Sequence, residues 1–123
     1  MEEINTDKAI ALLKQLAIKE RTMSYQAFAA QLGITKAPII NTVTIFLENL
    51  VIADVENNRP VLAAVIVQKG KDAIPRQGFF QLLHKLTVFN GDPVGEEAKI
   101  WLMNECSKLK NYYLPLDKTQ QKS

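Results

Sequence analysis

Three basic residues that lie close together in the sequence, Lys69, Lys71 and Arg76, form the clearest candidate binding group of this chain. They belong to the segment KGKDAIPRQG, whose glycines and proline are typical of a loop. Positive side chains clustered on one loop suit contact with phosphate groups, which supply most of the non-specific affinity of proteins for nucleic acids. A surface loop whose charges serve only solubility is the alternative interpretation.

Residues suited to covalent or metal chemistry are scarce. His84 is the only histidine and Cys106 the only cysteine, which leaves no ligand set with the spacing of a metal site. Gly70-Lys71 lacks the upstream glycine and the following Ser or Thr of a phosphate-binding P-loop. We therefore expect a protein that is not an enzyme and that uses no metal or cofactor. A nucleophilic Cys106 paired with His84 is the enzymatic alternative.

Length and composition predict one domain of the soluble globular class. The chain has 123 residues, of which 47% are hydrophobic, and its net charge of +2 is too small to require a nucleic-acid partner. No apolar run reaches the roughly 20 residues that span a bilayer, and the acidic start MEEINTDK has no secretory signal pattern. With a single cysteine, these features predict a cytoplasmic protein without a membrane partner.

Hydrophobic spacing predicts a helix over residues 5–20, capped by Asn5 or Thr6. The short segment Arg21–Ser24 is expected to be extended and could add a strand to a small sheet. The hydroxyl of Ser24 is placed to cap a second helix.

The spacing A-x-x-L-G-I-T in Ala29–Thr35 indicates a tight turn between two packed helices. Gly33 is placed to end the first of them in the left-handed conformation. Thr35 and Pro38 suit the cap and the first turn of the second. This pattern is typical of a helix-turn-helix core, and a generic helical hairpin is the alternative.

The second of these helices is predicted to begin near Lys36 and to continue past Leu50 until Asn57-Asn58-Arg59-Pro60 stops it. Its outward positions include Asn41 and Thr42, whose side-chain types can contact the base edges of a duplex. Lys36 is its only basic residue. Three acidic residues on the same helix would be repelled by phosphates if they faced DNA: Glu48, Asp54 and Glu56. A helix that faces solvent or a protein partner is therefore at least as consistent with the sequence.

Pro60 begins the β-branched run VLAAVIVQ, which is predicted to be a buried strand. After the basic loop, a short helix is expected over Phe79–Leu86, and a final helix is expected to end near Asn111. Residues 115–123 show no pattern and are predicted to be a mobile tail.

Together these patterns predict a mostly α domain over residues 1–114 with a small β element, of winged helix-turn-helix-like type with a C-terminal helix. Trp101, Tyr112 and Tyr113 are candidates for the apolar contact of a homodimer.

Five features follow one another between Met23 and Phe80: Met23-Ser24-Tyr25, the A-x-x-L-G spacing of Ala29–Gly33, a long predicted helix, a predicted strand and a basic loop. This order resembles the winged-helix DNA-binding domain of the alkyltransferase and alkyltransferase-like proteins, which has a V-S-Y-G-x-L-A-x-x-x-G opening. The resemblance implies the fold. The P-C-H-R or P-W-H-R active-site motif of that family has no counterpart in Arg59–Gln68, so alkyl transfer is not implied.

A second resemblance is carried by Arg59–Val67, which reads RPVLAAVIV, and by Pro75–Phe80, which reads PRQGFF. Both segments are similar to a motif of uncharacterised bacterial and phage proteins, R-P-h-L-x-A-h-V-V followed by P-G-x-G-F-F. Arg76 stands where that motif has glycine. The motif implies no activity; we expect Gly78 to permit a tight turn from the loop into a helix, with Phe79 and Phe80 packed in the core.

Two functions are consistent with these observations. The first is a small winged-helix-like protein that binds double-stranded DNA, such as a bacterial or phage regulator. In that case the contacts are expected from Lys36, Asn41, Thr42, Lys69, Lys71 and Arg76. The alternative is a protein-interaction module, such as a phage or mobile-element inhibitor or an immunity-type protein, that keeps the fold and does not bind DNA.

Overall fold

A computed structural model describes residues 4–69, 74–92 and 95–122 of the chain, with side chains as far as Leu114. The described residues are mostly helical with a small β element, as the sequence predicts. No helix among them is both long and apolar enough to cross a membrane. The elements are α1 (Thr6–Ile18), β1 (Met23–Ser24), α2 (Tyr25–Gln31), α3 (Ile39–Glu56), a 3-10 helix (Leu62–Val65), β2 (Ile66–Val67), α4 (Gln77–Lys85) and α5 (Glu96–Lys122).

The first two helices begin at the caps that the sequence predicts. The side chain of Asn5 accepts a hydrogen bond from the backbone N–H of Lys8 at 3.1 Å, and the hydroxyl of Ser24 accepts one from Ala27 at 3.1 Å. Gly33 follows α2 with a φ of 73°, the left-handed conformation that a residue without Cβ adopts at least cost. The turn between α2 and α3 therefore has its predicted geometry at this position.

The predicted start of α3 near Lys36 is wrong. This helix begins at Ile39, and Pro38 occupies the capping position with a φ of −86° and no side-chain cap. Thr35 therefore does not cap it, and Pro38 does not lie within its first turn. A residue that precedes proline is sterically disfavoured in the helical region, so Ala37 cannot continue a helix towards Pro38. The end of α3 at Glu56 agrees with the predicted stop at Asn57.

The strand predicted over VLAAVIVQ is confirmed only at Ile66–Val67, because Leu62–Val65 forms a 3-10 helix instead. The backbone amides that enter this turn bond to buried carboxylates rather than to a neighbouring strand. Val61 N–H donates to Glu105 Oε2 at 2.6 Å, and Leu62 N–H donates to Asp54 Oδ2 at 3.0 Å. These acceptors satisfy donors that a strand would have to pair elsewhere.

The two strands form a parallel pair in which Met23 lies opposite Ile66 and Ser24 opposite Val67. The extended segment before α2 therefore contributes a strand, as the sequence predicts. This pairing fixes the start of α2 beside the end of β2, because α2 begins directly after Ser24. The segment that leaves β2 thus starts close to α2.

Aromatic residues from three segments pack together on the C-terminal side of the core. Phe80 and Phe89 have ring centroids 5.5 Å apart, and Trp101 lies 6.0 Å from Phe79. Phe79 and Phe80 are buried as predicted, whereas Gly78 is the second residue of α4 rather than part of a separate turn. The short helix predicted here is confirmed.

The final helix is longer than predicted, since α5 continues beyond Asn111 to Lys122. The mobility of residues 115–123 stays a prediction. Of the three residues suggested for a homodimer contact, Tyr113 is buried, Trp101 is half-buried against the core and Tyr112 is exposed. Tyr113 is therefore part of the core of this chain, and the homodimer itself stays a prediction.

Candidate nucleic-acid interface

Lys69 and Arg76 line one surface cleft of about 220 Å³, although they come from opposite ends of the predicted loop. The cleft lies between α2, the start of α3 and the segment that follows β2. Its other lining residues are Tyr25, Gln26, Ile40 and Gln68. Two positive charges and two side-chain amides therefore face a common space, which suits an anion such as a phosphate group.

Hydrogen bonds hold the two ends of this segment in place. The backbone N–H of Gln68 donates to the carbonyl of Ile74 at 2.8 Å, which closes the loop at its base. The backbone N–H of Arg76 donates to the hydroxyl of Tyr25 at 2.9 Å, and the Arg76 guanidinium lies 5.9 Å from the centre of the same ring. Because Tyr25 is buried at the start of α2, it anchors the backbone of an exposed arginine.

The remaining predicted contact residues are placed less uniformly. Asn41 is exposed and directly follows Ile40, which lines the cleft. Lys36 is exposed but precedes α3, so it is not a helix residue as the sequence suggested. Lys71 lies outside the described residues. The predicted outward position of Thr42 is wrong: this residue is buried, and its hydroxyl donates to the Pro38 carbonyl at 2.7 Å.

A second cavity, of about 140 Å³, lies next to the cleft and shares Tyr25 and Arg76 with it. Its other polar lining residues are Thr44 and Glu48 of α3. The hydroxyl oxygen of Thr44 is buried and has no hydrogen-bond partner among the described residues. Sequence reasoning missed this site. Several of its lining residues carried separate signals, Arg76 through its charge and Tyr25 and Phe79 through the two resemblances, but no local pattern placed them around one cavity.

The acidic residues of α3 have three different environments. Asp54 is 4% exposed and accepts a hydrogen bond from Arg59 Nε at 2.9 Å, so it presents no charge to the surface. Glu48 is half-buried at the second cavity, and Glu56 is exposed at the end of the helix. The electrostatic case against DNA binding is therefore weaker than the sequence suggests, since Asp54 is already neutralised within the fold.

Cys106 and His84 lie on different helices. Burial raises the pKa of the Cys106 thiol, and the nearby carboxylates of Glu105 and Glu20 raise it further. Cys106 lines a groove beside α1, whereas His84 is exposed in the last turn of α4. A raised thiol pKa disfavours the thiolate, which is the nucleophilic form. In the described part of the chain, no three His, Cys, Asp or Glu side chains are grouped closely enough to hold a metal ion.

Comparison with known proteins gives no match: no family model fits the sequence, and neither a curated protein nor a solved structure is significantly similar to the chain. The two resemblances drawn from sequence motifs therefore stay predictions.

Proposed function

We propose that this chain is a winged-helix-like protein that binds double-stranded DNA through its phosphate backbone. The observation that carries the proposal is the convergence of Lys69 and Arg76 on one cleft between α2 and the segment after β2. Sequence-independent phosphate contacts of this kind supply most of the affinity of non-specific DNA binding. No base-specific contact is required for it.

The order of elements supports this assignment. Two helices meet across the turn at Gly33, and the strand before the first helix pairs with the strand after the second. In this proposal the segment after β2 corresponds to a wing, because its described residues Lys69 and Arg76 share a cleft with Ile40 in the first turn of α3. Asn41 is exposed in the first turn of α3, and we assign the approach to a groove to this side chain.

Fluorescence anisotropy with a labelled random-sequence duplex over a salt series tests the proposal. We expect binding that weakens steeply with salt, because each neutralised phosphate contributes about −0.9 to the slope of log affinity against log salt. The double variant Lys69→Gln/Arg76→Gln should bind more weakly and lower the magnitude of that slope by up to about 2.

The matched control removes two exposed positive charges that do not line the cleft, with Lys8→Gln on α1 and Lys19→Gln directly after that helix. Equal loss of affinity in both double variants would indicate a general charge effect and contradict the assigned cleft. Absence of binding by the wild-type protein at low salt would contradict DNA binding itself.

The exposure of Ile45 favours a second candidate function, that of a protein-interaction module. Its side chain is 46% exposed in the middle of α3, on the helix that a DNA-binding protein of this type would present to the duplex. Burial of this aliphatic side chain against a protein surface is favourable, whereas a phosphate backbone offers it little apolar contact. The variant Ile45→Asp separates the two functions. It should abolish capture of a protein partner, whereas Lys69→Gln/Arg76→Gln should leave that capture intact.

A further inference from the structure

The cavity beside the cleft combines apolar walls with charges of opposite sign. Leu47 and Val51 of α3, Ala63 of the 3-10 helix and Phe79 of α4 form its apolar lining. Its volume of about 140 Å³ is comparable to that of cavities that take one benzene-sized molecule. We propose that this cavity binds a free α-amino acid with a short aliphatic side chain, such as valine.

The charges define the ligand class. Glu48 and Arg76 both line the cavity, and both act electrostatically on the Tyr25 hydroxyl. They form no ion pair with each other, and neither belongs to an ion pair among the described residues. A carboxylate and a guanidinium are therefore held around one space without neutralising each other. A ligand that carries both an ammonium and a carboxylate group satisfies both side chains with charge-assisted hydrogen bonds.

Thr44 supplies an independent indication of a polar ligand. A threonine inside a helix commonly donates its hydroxyl to the carbonyl four residues earlier, as Thr42 does to Pro38. The Thr44 hydroxyl oxygen is buried and makes no such bond within the described part of the chain. Buried polar groups in proteins are normally paired. Because Thr44 lies one helical turn before Glu48, its hydroxyl can accept a hydrogen bond from the same ammonium group.

The apolar wall restricts the side chain of the ligand. Of the residues that line the cavity, Val51 and Ala63 are almost fully buried, whereas Arg76 is exposed. An aliphatic side chain that points inward gains apolar contact with Leu47 and Phe79. A large aromatic amino acid exceeds the volume, and a charged side chain would be buried without a partner.

Isothermal titration calorimetry and NMR chemical-shift mapping, in the absence of nucleic acid, test this proposal with valine and two analogues. Isobutylamine lacks the carboxylate of valine, and 3-methylbutanoate lacks its ammonium group. We expect valine to shift the amide signals of Thr44, Glu48 and Gly78. Each analogue should bind at least about tenfold more weakly, because it leaves one protein charge unpaired. Equal binding of an analogue would overturn the zwitterion assignment.

Two single variants assign the ends of the ligand. Glu48→Gln and Arg76→Gln should each weaken valine binding by about tenfold or more, whereas the controls Glu56→Gln and Lys69→Gln, which lie outside the cavity, should leave it unchanged. Ala63→Leu adds a larger side chain to the apolar lining and should abolish binding in a protein whose NMR spectrum remains folded. Absence of any valine-induced shift up to about 10 mM contradicts the proposal, whatever the outcome of the DNA-binding experiment.

Discussion

The phenolic oxygen of Tyr25 accepts a hydrogen bond from the backbone N–H of Arg76 at 2.9 Å. This bond joins the first residue of α2 to the residue that precedes α4, across the segment that follows β2. Tyr25 also lines both the cleft and the neighbouring cavity. A buried hydroxyl group therefore helps to fix the position of Arg76, which both the DNA-binding proposal and the amino-acid-binding proposal use.

Replacing Tyr25 with phenylalanine tests this dependence. The substitution keeps the ring and removes the acceptor, so we expect the free energy of unfolding to fall by about 1–2 kcal/mol. Urea unfolding measures that loss, and hydrogen exchange at the Arg76 amide should become faster. Tyr112→Phe is the matched control at an exposed tyrosine and should change stability by less than about 0.5 kcal/mol. An equal effect of the two substitutions would contradict the structural role of the bond.

Asp54 is expected to be among the most sensitive residues of the fold. It is 4% exposed and accepts hydrogen bonds from Arg59 Nε and from the backbone N–H of Leu62. Asp54→Ala leaves the Leu62 amide without an acceptor and should cost about 2–4 kcal/mol of unfolding free energy.

Arg59→Ala is the informative comparison, because it removes the ion pair and leaves the Asp54–Leu62 hydrogen bond in place. The Arg59 side chain is 37% exposed, so solvent screens the pair, and we expect a loss of only about 1 kcal/mol or less. Chemical denaturation of both variants measures the difference. A loss for Arg59→Ala as large as that for Asp54→Ala would show that the ion pair, rather than the backbone bond, dominates.

The sequence predicts the features that depend on near neighbours. The Asn5 and Ser24 caps each bond to an amide three residues away, and Gly33 marks a local backbone conformation. The 3-10 helix depends instead on Asp54 and on Glu105, which is 44 residues from its partner Val61. No local pattern contains that information. For the same reason the sequence did not show that Asp54 is buried and bonded to Arg59 and Leu62.

The candidate site likewise combines residues that local sequence patterns indicate with a cavity that they do not. The sequence indicated Lys69 and Arg76 because charge and loop residues are visible locally. It could not indicate the cavity, which forms only where Tyr25, Thr44 and Arg76 meet from three segments. Thr42 and Thr44 have the same residue type two positions apart, and periodicity alone did not reveal that one is bonded to the backbone and the other is not.

The stability of the protein is expected to fall at alkaline pH. Burial is the main cause that raises the pKa values of Tyr25, Tyr113 and Cys106. A raised pKa in the folded state means that folding favours the protonated form. The associated stability is therefore fully present below the unfolded pKa, about 8.5 for cysteine and about 10 for tyrosine, and is lost as pH rises through the higher folded values.

Thermal unfolding measured between about pH 7 and pH 11 checks this expectation. Cys106→Ala should reduce the decrease in melting temperature that begins near pH 8.5. Tyr25→Phe should reduce the decrease above about pH 10. Melting temperatures that stay constant over the range would contradict the expectation. An identical pH dependence in wild type and both variants would assign the decline to other groups.

Substitution of Thr44 and of Thr42 by valine is expected to change the free energy of unfolding in opposite directions. Valine has nearly the shape of threonine and lacks the hydroxyl. Thr44→Val removes a buried group that has no partner among the described residues, so we expect the free energy of unfolding to rise by about 1 kcal/mol. Thr42→Val removes the 2.7 Å bond to the Pro38 carbonyl and should lower it by about 1 kcal/mol.

Because both residues are β-branched and lie on α3, differences in helix propensity between the two variants largely cancel. Differential scanning calorimetry without added ligand should therefore place Thr44→Val above and Thr42→Val below the wild-type melting temperature. The same Thr44→Val protein should bind valine more weakly, since it loses an acceptor for the ammonium group. A destabilised Thr44→Val variant would mean that the hydroxyl already has a partner in solution, such as an ordered water molecule.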